Sequence, residues 1–112
     1  MCLKNYATKG HLYIGNRHKD IDYNAISKHL LNLVDKMEMS YREIRETHHV
    51  DHIIPMYYYE LEEIHKAFNP LNLRWLPAKE NMSRQNNITK QDWEIINTLP
   101  KEIYPQSLKE NR

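Results

Sequence analysis

Residues 48–55 read HHVDHIIP, three histidines and an aspartate within five positions, then an apolar pair and a proline. The segment is short and β-prone, and Pro55 ends it. An ordinary half-buried strand alternates apolar and polar residues to cover a core, and histidine and aspartate are poor choices for that work. The chain is therefore expected to fold around a strand whose side chains are there for chemistry as well as packing.

What flanks this strand is read from periodicity. Upstream, Tyr23, Ile26, Leu30, Leu33 and Met37 recur at helical steps, with Leu31 and Val34 widening the apolar face, which predicts an amphipathic helix over 23–37 with Asp22 as its N-cap. Ser40-Tyr41-Arg42-Glu43 resembles a capping box opening a second short helix that runs to Glu46. Downstream, Leu61, Ile64 and Phe68 mark a connector with a short helix closed by Asn69-Pro70. LNLRWLP is then a short apolar strand holding Asn72, and Pro77 begins a helix over AKENMSRQN. A last helix covers Thr89 to Leu99, with Trp93, Ile95 and Ile96 seeking a core. Near the start, HLYIGNR reads as a short strand leading into a polar turn at RHKD.

At 112 residues one domain is expected, and a formal net charge of +1 gives no general basic excess, so any nucleic-acid contact has to rest on a local cluster. A single cysteine, Cys2, excludes an internal disulfide and a multi-cysteine zinc cage within one chain and suits a reducing compartment. No run approaches the roughly 20 apolar residues of a membrane span, and a secretory signal pattern is missing, so a cytoplasmic protein without a membrane partner is expected.

The order strand, connector, strand, helix has a chemical consequence. Adjacent strand residues point to opposite faces, so Asp51 and His52 can hold different duties. A helix packing back across the strands can bring Asn81 close to Asp51, and two oxygen donors facing one another suit a hard divalent cation. His52 beside that ion could take a proton from an attacking water, since an unperturbed imidazole is largely neutral at physiological pH.

VDHIIP followed by NLRWLPAKENMSR resembles the signature of the HNH endonucleases in their ββα-metal form, an α+β fold. Asp51, His52, Ile53 and Pro55 fit its first part, Asn72, Leu73 and Leu76 its second, and Asn81 and Arg84 its third, with the two asparagines nine positions apart as the pattern requires. The resemblance covers about residues 47–86, leaving 1–46 as a helical N-terminal extension and 87–112 as a C-terminal helix and tail. It departs from the pattern where Pro77 and Glu80 stand in place of zinc-binding cysteines, where Asn81 replaces a histidine, and where Arg84 replaces a lysine.

The resemblance implies that Asp51 and Asn81 bind one Mg²⁺ or Mn²⁺ ion per site, with no structural zinc, and that His52 activates water while Asn72 orients its imidazole through a main-chain contact. It implies DNA as substrate, 5′-phosphate and 3′-hydroxyl products, and a setting in a bacterial or phage-infected cell. Arg84, Arg74 and His49 are the candidate nucleic-acid contacts. A single such site cuts one strand, so double-strand cleavage needs a homodimer or two visits, and the near-neutral charge leaves room for a partner protein that delivers the domain to DNA.

Two other readings compete. One is a non-catalytic DNA binder with a helix-turn-helix in residues 24–46, weakened by a turn without glycine and by the mixed charge of Arg42, Glu43, Arg45 and Glu46. The other is a protein-interaction module on the same scaffold. Tyr57, Tyr58 and Tyr59 and the tryptophans Trp75 and Trp93 are expected to cover the core before anything else.

Overall fold

The computed structural model describes residues 21–110, so the expected strand at HLYIGNR and the turn at RHKD lie outside the described residues. Within them the fold is mixed α+β. Helices α1 (Tyr23–Lys36) and α2 (Tyr41–Thr47) lead into β1 (His48–His52). A connector carrying the short helix α3 (Ile64–Ala67) leads to β2 (Leu73–Pro77), and α4 (Ala78–Arg84), α5 (Lys90–Ile96) and α6 (Gln106–Glu110) follow. No helix among the described residues is long and apolar enough to cross a membrane.

The start of α1 is chemically specified. Asp22 is extended and its Oδ1 accepts the Ala25 N–H at 3.0 Å, supplying a partner to a donor that the first helical turn leaves over. Ile26, Leu30 and Val34 form the buried stripe, while Leu31, expected to widen it, is 45% exposed. At α2 the Ser40 hydroxyl accepts from the Glu43 N–H, but the Glu43 carboxylate takes the Ser40 hydroxyl rather than its N–H, so only half of a capping box forms.

β1 and β2 pair antiparallel, with Val50 opposite Trp75, Asp51 opposite Arg74 and His52 opposite Leu73. Directly opposed residues share a face, so the sheet presents Val50, His52, Leu73 and Trp75 on one side and His49, Asp51, Arg74 and Leu76 on the other. α1 docks on the first side: Trp75 Nε1 donates to the Leu30 carbonyl and His29 Nε2 to the Leu73 carbonyl, each at 3.0 Å. α4 lies over the second side, where Asn81 meets His49 and Arg84 meets Asp51.

The core gathers α1, the turn after β1, the connector and the C-terminal segment, through Ile26, Leu30, Ile54, Phe68, Leu73, Ile96 and Ile103. Tyr59 is buried and donates its hydroxyl to the Ile103 carbonyl, whereas Tyr57 is 74% exposed. The last helices are shorter than the apolar spacing suggested. α4 stops at Arg84 because Gln85 takes φ 50°, a left-handed conformation that redirects the chain. α5 runs only from Lys90 to Ile96 with Thr89 as N-cap, and Ile95 faces outward while Ile96 is buried. Leu61 is likewise exposed in a tight turn before α3.

Leu30 has no exposed surface and sits between α1 and β2, so Leu30→Ala is expected to destabilise the fold by about 2–5 kcal/mol, read from urea denaturation followed by circular dichroism.

Candidate active site

Asn72 ends a tight turn opened by Asn69, whose side chain accepts the Leu71 N–H, and it is wholly buried. Its Oδ1 accepts the Ile54 N–H at 2.8 Å and its Nδ2 donates to the Ile54 carbonyl at 3.1 Å and to the Ala67 carbonyl at 3.0 Å. A primary amide is the side chain suited to this task, because one end accepts while the other donates twice. The Asn72 main chain adds a further bond, from the Ile53 N–H to the Asn72 carbonyl at 2.8 Å. The turn that leaves β1 is thereby fastened to the turn that enters β2.

The same Ala67 carbonyl receives His52. Nδ1 of the imidazole donates to it at 2.8 Å, and the ring stands edge-on to Phe68 with centroids 4.9 Å apart. A carbonyl only accepts, so the Nδ1 position carries the proton and the lone pair of the neutral ring is on Nε2. Burial lowers the His52 pKa to about 4; the Arg84 charge lowers it too, against the Ala67 bond that favours the protonated form. His52 is therefore neutral at physiological pH, in the tautomer that a proton acceptor at Nε2 requires.

On the opposite face of the sheet the chemistry is ionic. Arg84 Nη1 lies 2.8 Å from Asp51 Oδ1, and Arg74 Nε lies 3.0 Å from Asp51 Oδ2. The two guanidiniums also share Asp92, with Arg84 Nε 2.7 Å from its Oδ2 and Arg74 Nη2 2.8 Å from its Oδ1. Arg84 completes its set by donating to the His52 and Ile53 carbonyls. Two carboxylates and two guanidiniums thus balance in a nearly dry site. Burial pushes the Asp51 carboxyl above its ordinary value, against the pull of Arg84 and Arg74. For Asp92 burial acts in the same direction, but the Arg74 hydrogen bond and the Thr89 N–H, with the charges of Arg74 and Arg84, hold it below.

These contacts correct the expected surface roles of Arg84 and Arg74. Arg84 is 7% exposed and both guanidiniums are turned inward onto carboxylates, because an aspartate buried on this face needs a counter-charge more than a phosphate does. The structure also pairs Asn81 with His49, at 3.0 Å between the amide Nδ2 and Nδ1 of the ring, where contact between Asn81 and Asp51 was expected. His49 is exposed, so it can still meet a ligand from solvent. Asp92 had no part in the expected site. Its capping pattern, Thr89 three residues earlier, was visible in the sequence, but nothing local announced its arginine partners.

The two residues that the resemblance assigns to a divalent ion, Asp51 and Asn81, do carry oxygens, on β1 and α4, but Asp51 is buried with both its oxygens accepting from guanidiniums, and Asn81 is bonded to His49. Charge sets a condition, since Asp51 already answers two guanidiniums. Compared with known proteins, the chain matches no family model, no curated protein and no solved structure.

Because the folded protein holds His52 neutral down to about pH 4 while the unfolded chain protonates it near its ordinary value, the unfolded state binds more protons between the two. Stability is therefore lost as pH falls from about 6.5 to about 4, by at most about 3 kcal/mol from this group. In EDTA, urea midpoints at pH 7 and pH 4.5 are expected to differ more for the native protein than for His52→Asn.

Proposed function

We propose that the chain is a metal-dependent endonuclease of the HNH kind, built on a ββα-metal core, that hydrolyses phosphodiester bonds of DNA to leave a 5′-phosphate and a 3′-hydroxyl. The observation that carries this reading is the fixed imidazole: His52 Nδ1 is anchored on the Ala67 carbonyl, and Asn72 holds that carbonyl and the adjoining turn in place. A buried imidazole of any role needs a partner for its N–H; what supports this reading is that the partner chosen leaves Nε2 as the basic atom and that a buried asparagine holds the same carbonyl. The strand–strand–helix order and the match of Asp51, His52, Asn72 and Asn81 to the HNH pattern support the same conclusion.

In this mechanism His52 Nε2 accepts the proton of the attacking water while Nδ1–H stays on Ala67, so the ring does not turn as it takes charge. A phosphate anion drawn up beside the ring favours its protonated form and brings its proton affinity closer to working pH. Asn72 is a positioning residue, acting through the main chain. Asp51 and Asn81 are the residues that would hold one Mg²⁺ or Mn²⁺ ion, once Asp51 is released from Arg74 and Arg84, and the ion would supply charge stabilisation to the reaction. Since Asp51 and His52 leave opposite faces of β1, one phosphodiester has to be reached from both around the end of the strand, where Ile53 begins the turn.

Supercoiled plasmid incubated in Mg²⁺, Mn²⁺ or EDTA tests the proposal. Nicked circles are expected with either ion and none in EDTA, with His52→Ala slower by about 10²- to 10⁴-fold. Asn72→Ala is expected to lower kcat more than it raises KM. A shift of DNA in EDTA with sequence preference and no turnover would instead make the protein a binder on this scaffold.

A further inference from the structure

Two successive peptide units lead the chain out of β1, and each is held at both ends. In the unit joining His52 to Ile53, the carbonyl accepts from Arg84 Nη1 at 3.0 Å and the N–H donates to the Asn72 carbonyl at 2.8 Å. In the unit joining Ile53 to Ile54, the carbonyl accepts from Arg84 Nη2 and the N–H donates to Asn72 Oδ1 at 2.8 Å. Arg84 and Asn72 thus close on the same two peptides, one from the carbonyl side and the other from the amide side. The guanidinium can do this because it is itself held: Asp92 takes its Nε and Asp51 its Nη1, and the residue is only 7% exposed. Its planar fork of N–H donors serves four acceptors, on β1, on the turn after it and on α5. A lysine in its place keeps the charge but offers one nitrogen. Among the described residues, Arg74 bonds the same two carboxylates and no carbonyl of this turn.

Resting on the nuclease reading above, in which His52 is the base, we propose that Arg84 is a second positioning residue beside Asn72, fixing the main chain that carries the imidazole. The ring needs two fixed points to keep Nε2 in one place. One is the bond from Nδ1 to the Ala67 carbonyl, and the other is the His52 backbone. Asn72 bears on both, through the Ala67 carbonyl and through the amide side of the turn. Arg84 bears on the backbone alone, reaching it from the ionic face of the sheet. Loss of the fork frees the His52 carbonyl to turn, the Cα moves with it, and the bond from Nδ1 to Ala67 is weakened. A misplacement of about 1 Å at a reacting group can cost about 10²-fold in rate, so this hold has a kinetic consequence. Arg84 touches neither DNA nor the attacking water in this scheme.

The test follows the His52 Nδ1–H proton of the full chain by nuclear magnetic resonance, beside the kinetics of plasmid nicking. In Arg84→Lys that proton is expected to exchange with water about tenfold faster or more, and kcat to fall about ten- to a hundredfold with KM within about twofold of native. Arg74→Lys disturbs the same two carboxylates without touching the turn, and its His52 Nδ1–H is expected to exchange within about twofold of the native rate. If Arg84→Lys fails to fold by circular dichroism, Asp92→Asn replaces it, because it removes one anchor of the guanidinium and leaves Arg84 in the chain; exchange faster than in Arg74→Lys is expected. Native exchange in the folded variant, or the same acceleration in Arg74→Lys, overturns the proposal. A raised KM with native kcat in Arg84→Lys also overturns it and makes Arg84 a DNA contact. If the native protein nicks no plasmid, the nuclease reading falls, and the exchange rates alone decide whether Arg84 fixes the ring.

Discussion

An ionised carboxylate taken out of water has to be answered by positive charge and hydrogen bonds, and the second face of the sheet is organised around that need at Asp51. Arg74 reaches it across the strand pair and Arg84 from the end of α4, and both then bind Asp92 on α5. Such a group adds little net stability relative to a well-packed apolar one of the same volume, because desolvation offsets most of the attraction. Its effect is conditional. Loss of one member leaves each remaining partner with a single counter-charge and unbalances the group, so the four elements that contribute are held to one relative arrangement. Arg84 extends that hold to the main chain at His52 and Ile53, which couples the ionic face to the histidine on the other side.

The two faces use different physics for compatible ends. On the His52 side the hydrogen bonds are between neutral groups: an imidazole, an amide and the main chain at Ile54 and Ala67 share them beside Phe68, with the Arg84 charge acting from the other face. On the Asp51 side long-range charge dominates, and an added cation changes the balance of all four groups at once.

Much of the framework was legible because it is written in local chemistry. Asp22 caps α1, the apolar steps of Ile26, Leu30 and Val34 fall on its buried face, and Pro77 stands directly before α4. Asn72 bonds main chain just beyond β1, at Ile54, but which carbonyl it shares with His52 was not readable from the sequence. Ion pairs leave no such trace. The partners of Asp51 and Asp92 are 8 to 33 residues away in sequence, and an arginine on a strand looks the same whether it faces a phosphate or an aspartate. Leu31, Leu61 and Ile95 misled for a related reason, since periodicity marks an apolar stripe without saying how wide a covering neighbour is.

The acceptor on which His52 and Asn72 converge is a peptide oxygen, at Ala67, and no side chain encodes it. Residue identity at that position records only a small group that must fit the core. What the chain has to preserve is distance along the backbone, from the oxygen to the amide five residues on, with Asn69 and Pro70 bending the path between them. Tolerance to length change is therefore uneven along the connector: extra residues around the exposed Tyr57 leave this span intact, whereas a single insertion between Ala67 and Asn72 parts the two donors from their common acceptor.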